Sequence, residues 1–176
     1  MLLSTLAASR AQAEEVPRDL GLLVMLKVLT YDAAFEGRLG AHEFLVLVPF
    51  GKNTADIAKN IVTAAAALPI KAMLGRTLRF EAIPSGELET QLVTRQAGAV
   101  FIPTGTSAEL ATSLAAVATK HNRYGMTLDE ELVKTGITVG VALNSGKAQV
   151  ILNVVAARAI KAEFSSAVMR VARIQQ

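Results

Sequence analysis

Two apolar runs near the end of this chain, Ile137–Leu143 (ITVGVAL) and Ala148–Val154 (AQVILNV), are joined by only four residues, Asn144-Ser145-Gly146-Lys147. A parallel crossover needs about a dozen residues or more, so these runs must pair antiparallel across a tight turn. The link suits that turn, because Asn, Ser and Gly tolerate positive φ. Any sheet the chain builds is therefore closed by a hairpin.

Upstream of the hairpin, strands alternate with helices. Asp19–Thr30 reads as a helix with Asp19 as its cap and a stripe of Leu22, Leu23, Leu26 and Leu29. Tyr31-Asp32 ends or bends it, and Gly37 and Gly40 open a loop. EFLVLVPF is a continuous apolar run of the kind buried on both faces. After the Gly51–Thr54 turn, Ile57, Ile61 and Leu68 keep helical spacing until Pro69. TLRFEAI is a second strand, followed by a turn at Pro84-Ser85-Gly86 and a helix over Glu87–Arg95. AVFIP is the third strand, and Ser107 caps a helix whose Leu110, Leu114 and Val117 share a face. Gly125–Leu128 is a short fourth strand and Asp129–Lys134 a short helix. The pattern predicts a single α/β domain with three layers, a mostly parallel flavodoxin-like sheet closed by a C-terminal antiparallel hairpin. Beyond the hairpin, Val154–Ala162 and Ser165–Gln176 read as helical pieces. In the second, Phe164, Val168 and Val171 form the packing stripe, with Arg170 and Arg173 turned outward.

At 176 residues, with 52% hydrophobic residues, the chain is long enough for a real core and too apolar for disorder. Charge is nearly balanced at +3, but the excess is uneven. From Lys134 onward, Lys134, Lys147, Arg158, Lys161, Arg170 and Arg173 face a single acid, Glu163. Such a face suits an acidic partner or a membrane surface as well as plain solvent, and Arg170 and Arg173 are its candidate partner-binding residues. Without interleaved aromatics it does not read as a nucleic-acid site. The absence of cysteine excludes disulfides, thiol catalysis and Cys-ligated metals.

The opening, MLLSTLAASRAQAEEVPRDL, carries an apolar run at Leu2–Ala8 and a small-x-small motif at Ala11–Ala13. It lacks a basic leading segment and a full apolar stretch. Either residues 1–13 are a truncated signal peptide, or they are an Ala-rich first helix. The first reading is adopted: an exported, periplasmic domain beginning at Glu14. No later segment approaches the roughly 18 apolar residues of a membrane span, so membrane insertion is not expected.

The residues offer little chemistry. His42 and His121 read as exposed boundary residues without ligand spacing, and no P-loop, nucleophile elbow or dinucleotide motif occurs. Asp129-Glu130-Glu131 suits a helix start better than a metal. No catalytic residue, metal or cofactor is expected. In a flavodoxin-like order the loops after the first and third strands converge. Lys52, Asn53 and Thr54 would meet Thr104, Thr106 and Ser107 there, a candidate small-anion site at two helix N-termini. The same residues are also what any turn and cap require.

The ending supplies a further reading. A strand, an Asn/Asp-Gly-type turn, a strand finishing at Asn153, the Ala156-Ala157-Arg158 run and FSSAVMRVARI together closely resemble the C-terminal signature of the YfiR-like family of small periplasmic proteins. MLKVLTYDAAFEGRLG looks like the opening of one branch of that family, and AVFIPTG falls where its third strand belongs, so the resemblance touches Asp19–Ile174. It implies a non-enzymatic periplasmic regulator, a homo-oligomer that binds the periplasmic domain of a membrane signalling protein. The namesake restrains a diguanylate cyclase and so lowers cyclic-di-GMP and biofilm formation. The namesake's cysteines are absent here, so no redox role is carried over. The alternative is a small-ligand binding module resembling one lobe of a solute-binding protein.

Overall fold

Between Phe44 and Phe50 the chain has no charged side chain, and this stretch lies in the interior of the sheet. The computed structural model describes residues 16–176. The expected leader, residues 1–13, and the domain start at Glu14 lie outside the described residues. The chain runs α1 (Arg18–Leu29), β1 (Glu43–Phe50), α2 (Ala55–Ala67), β2 (Ala72–Met73) and β3 (Arg76–Pro84). It continues through α3 (Leu88–Thr94), β4 (Ala99–Phe101), α4 (Ala108–Lys120), β5 (Tyr124–Thr127) and α5 (Glu130–Val133). It ends with β6 (Val139–Asn144), β7 (Lys147–Asn153), α6 (Val154–Ala159), α7 (Ser166–Val171) and β8 (Arg173–Gln175).

The eight strands form one sheet in the order β2-β3-β1-β4-β5-β6-β7-β8. Its parallel part, β3-β1-β4-β5-β6, is the expected flavodoxin-like order. β6 and β7 pair antiparallel from Val139↔Leu152 to Asn144↔Lys147, with Ser145 at φ 51° and Gly146 at φ 75° in the turn. Two consecutive left-handed residues match the twist of the flanking strands, as the sequence predicts.

Alternate residues of β1 serve two cores. Phe44, Val46 and Val48 pack with α1, α2 and the C-terminal residues Ile160 and Val168. Leu45 and Leu47 pack on the other side with Leu88 and Leu92 of α3, Leu114 of α4 and Leu132 of α5. Each such side chain taken from water contributes about 1.5–3 kcal/mol, which makes the doubly covered sheet the stable arrangement.

Several local expectations are corrected. Asp19 does not cap α1: Pro17 occupies that position and no side chain caps the helix. β2 was not anticipated; it hairpins onto β3 through Leu74 (φ 47°) and Gly75 (φ 77°). The last predicted helix stops at Val171, Ala172 is extended, and β8 adds to β7 in parallel. Val171 is consequently not part of a packing stripe but 70% exposed, whereas Val168 is buried as expected.

Three helices end without glycine at the left-handed stop. Gln96 (φ 53°), Asn122 (φ 54°) and Lys161 (φ 56°) follow α3, α4 and α6. In each case the next N–H reaches back five residues: Ala97 to Leu92 O at 3.1 Å, Arg123 to Ala118 O at 2.8 Å, Ala162 to Ala157 O at 2.9 Å. These bonds satisfy carbonyls that a helix end leaves unpaired. The last two stops lie side by side at the start of β5, where they shape the site described next.

Candidate functional site

At the C-terminal edge of the sheet, β1 and β4 are neighbours and their following loops do converge. A methyl on Gly51 would lie 3.4 Å from Leu110 Cδ2, and one on Gly105 (φ 80°) 3.7 Å from Ile57 Cδ1. The polar groups there are largely consumed within the loops. Thr54 is buried and its Oγ1 accepts from Gly51 N at 3.0 Å. Thr106 is buried and donates to Pro103 O at 2.7 Å. Ser107 accepts from Leu110 N at 3.3 Å, the expected cap of α4. Lys52 and Asn53 are exposed, and Thr104 is half-buried beside a cavity of about 20 Å³ shared with Phe101 and Leu128. That volume holds a single water. The structure thus brings the six candidate residues to one edge, but three of their hydroxyls serve turns and caps.

The opposite, N-terminal edge is built differently. α1 ends just before Asp32, whose side chain is fully buried and collects four donors. Ala34 N and Glu163 N reach it at 2.9 and 2.6 Å, Arg38 Nη1 at 2.9 Å, and the Tyr124 hydroxyl also donates to it. Arg38, 7% exposed in its side chain, gives Nε to Asn122 O at 3.2 Å and Nη2 to Ile160 O at 2.5 Å, and its guanidinium stacks 4.7 Å from the Tyr124 ring centroid. Burial first, and then the hydrogen bond to Asp32, push the Tyr124 phenol far above its ordinary value, so it stays neutral. The hub ties the α1–β1 loop, the start of β5 and the segment after α6 into one rigid unit.

Over this hub lies an open pocket of about 360 Å³, walled by Arg38, His121, Asn122, Arg123, Ile160 and Lys161. Arg123 is half-buried, and its Nε has neither an acceptor nor solvent access among the described residues. Leaving a buried donor unpaired costs about 1–3 kcal/mol. Burial, and then the Arg38 charge, hold the Arg123 guanidinium below its ordinary value. His121 is half-buried rather than exposed, and it meets Glu89 Oε1 at 2.9 Å, where Lys120 also binds at 2.6 Å. His42 is exposed, as expected. The pocket was not legible in the sequence because Arg38, Asn122 and Ile160 stand 84 and 122 positions apart.

Arg170 and Arg173 both face outward, as expected, but from different elements. Arg170 sits on α7 and is exposed, while Arg173 lies on β8 and pairs with Glu130 Oε1 at 2.6 Å. The acidic run serves locally as predicted: Asp129 caps α5 through Glu131 N at 3.0 Å, and Glu131 pairs with Lys134. Among the described residues there is no cluster of three His, Cys, Asp or Glu able to hold a metal. None of the described helices is long and apolar enough to cross a membrane.

No protein-family model matches the chain, and no curated protein matches it. Solved structures do share its architecture. A conserved domain protein from Vibrio cholerae O1 biovar El Tor superposes with a TM-score of 0.62 at 12% identity over 91% of this chain. An ABC domain from Streptococcus pneumoniae in complex with L-Trp gives 0.59 at 11% over 90%. The ligand-free, open structure of a substrate binding protein with adhesive properties from Clostridium difficile gives 0.57 at 12% over 92%. In each comparison the match spans 60% of the other protein's length. At such identity the likeness establishes one thing, a shared α/β fold with a mostly parallel sheet covered on both faces.

Proposed function

We propose that this chain is a small-ligand binding module of an exported, periplasmic protein, acting by holding its ligand rather than by transforming it. The observation that carries this reading is the open pocket of about 360 Å³ beside the Asp32–Arg38–Tyr124 hub, with Arg38, locked in hydrogen bonds, in its wall. Ligand sites are typically concave, preformed and of about this size or larger. The shared fold with a substrate binding protein and with a domain solved with L-Trp supports the same class. A thermal-shift panel of neutral sugars, amino acids, small carboxylates and phosphate esters tests it. A true ligand at about 100 times its Kd stabilises by about 2.7 kcal/mol, or roughly 5–10 °C in Tm for a chain of this size. A panel in which no compound raises Tm would sink the reading.

One observation favours a second reading, the YfiR-like regulator acting through protein contact. Met169, Val171 and Ile174 are 39%, 70% and 39% exposed on or just before β8, the edge strand of the sheet, and Val155, 61% exposed, follows the β7 strand that β8 pairs with. An open edge with apolar flanks is a site for adding a partner's strand. On this reading, deleting the gene raises cellular cyclic-di-GMP and the wild-type chain reverses the rise. A Val171→Asp, Ile174→Asp chain, folded and equally abundant, does not reverse it. Full reversal by that variant removes the edge from consideration.

A further inference from the structure

We infer that the pocket at the N-terminal edge of the sheet is a site for a small oxyanion, the carboxylate or phosphate group of a metabolite, held by Arg123 and Lys161 above the buried Arg38. This rests on the binding-module reading and names its ligand class.

Charge makes the first argument. Arg38, Arg123 and Lys161 bring three cations to the pocket, and His121 stands at its rim. Among the described residues, Asp32 lies beneath, bound to Arg38, and Glu89 is engaged by Lys120 and His121. Arg123 and Lys161 have no ion pair among the described residues. The ends of α4 and α6 also face this edge, and basic residues are common there because a helix C-terminus carries about half a negative charge. Two such ends offset roughly one cation, and Asp32 offsets another. A net positive pocket remains.

Hydrogen bonding makes the second. The donors of Arg38 are taken by Asp32, Tyr124, Asn122 O and Ile160 O, so it supplies field and position rather than a grip. Arg123 is the opposite case: its guanidinium makes no hydrogen bond among the described residues, and because its Nε is closed to solvent, the Nη end is what a ligand in the pocket meets. Buried polar groups are nearly always paired in native proteins, and a guanidinium edge is shaped for two oxygens of one carboxylate or phosphate. An oxyanion seated against the Nη end of Arg123 gives that guanidinium an acceptor and separates the Arg38 and Arg123 charges.

Backbone conformation makes the third. Lys161 holds φ 56° at a helix stop that glycine occupies with less strain. A long cationic side chain kept in that conformation, at the rim of a pocket, points to use of its ammonium. The open volume of about 360 Å³ has room for the anionic group of a small metabolite.

Isothermal titration of the full chain with inorganic phosphate and, separately, with succinate tests this, in a background of sodium chloride at matched ionic strength. Saturable binding of either probe is expected, and the tighter one identifies phosphate or carboxylate as the group recognised. Arg123→Gln should weaken it at least tenfold, the loss expected for a charge-assisted bond. Lys161→Gly, which removes the ammonium while easing the backbone, should weaken it about two- to fivefold and leave folding intact. If both variants bind as the wild type does, this site is wrong while the binding-module reading stands. If neither probe binds but a neutral compound of the wider panel does, the ligand class is wrong. If nothing in that panel binds, the underlying reading fails as well.

Discussion

Asp32→Ala is expected to destabilise the protein by about 3–5 kcal/mol, lowering Tm by roughly 6–20 °C. Removing this carboxylate strands the Arg38 guanidinium, 7% exposed, without its counter-charge. It also leaves Ala34 N, Glu163 N and the Tyr124 hydroxyl without their acceptor. Arg38→Met should cost a similar amount, because it leaves the buried carboxylate without its cation and frees the carbonyls of Asn122 and Ile160. The double variant should be less destabilised than the sum of the two by about 1–3 kcal/mol, the signature of residues acting on each other. Denaturant melts of the four proteins decide it. Strict additivity would mean that the two side chains stabilise separate parts of the chain and that the hub is not a unit.

That hub marks the boundary of what could be read from sequence. The central strands were legible because their information is local. EFLVLVPF announces a strand buried on both faces, and alternation with helices imposes the parallel order. The hairpin was legible because four residues leave no other connection, and Ser145 and Gly146 take the left-handed conformations such a link demands. β8 was not legible. Its residues continue a plausible helical pattern, and pairing with Ile151–Asn153 of β7 overrides that pattern. Asp32 was visible as a helix end, but nothing near it in sequence says that Glu163 N, 131 positions away, completes its shell. Arg38 looked like an ordinary loop arginine, since only the assembled fold shows it to be 6% exposed.

The candidate site divides along the same line. The switch-point loops could be named in advance because strand order dictates which loops meet, and they do meet. Strand order says nothing about whether their hydroxyls remain free. Thr54, Thr106 and Ser107 spend theirs on the turns that make the convergence possible. The basic pocket has the opposite character. Its cations come from two helix stops and one loop, each unremarkable alone, and acquire meaning from the shared floor beneath them.

Gly98→Ala is the second change expected to have a large effect, about 3 kcal/mol of destabilisation, at the upper end of the usual overpacking range. Gly98 is buried between the start of β4 and the α1–β1 loop, with its N–H on Leu45 O at 2.9 Å. A methyl there would stand 2.3 Å from Phe44 Cε2 and 2.7 Å from the backbone oxygen of Arg38. Neither neighbour can yield cheaply. The Phe44 ring is fully buried and packs edge-on against Phe35 at 5.2 Å, and Arg38 is anchored by its hydrogen bonds to the hub. Gly37 is the control: it adjoins the same arginine, and a methyl there would meet nothing within 4 Å. Gly37→Ala should therefore be neutral, or stabilising by up to about 1 kcal/mol through the unfolded chain. Because Gly98 presses on the backbone that carries Arg38, its alanine variant should also weaken anion binding if it folds. Equal stabilities for the two variants would show that the α1–β1 loop gives way easily, and the pocket could then no longer be regarded as resting on a rigid floor.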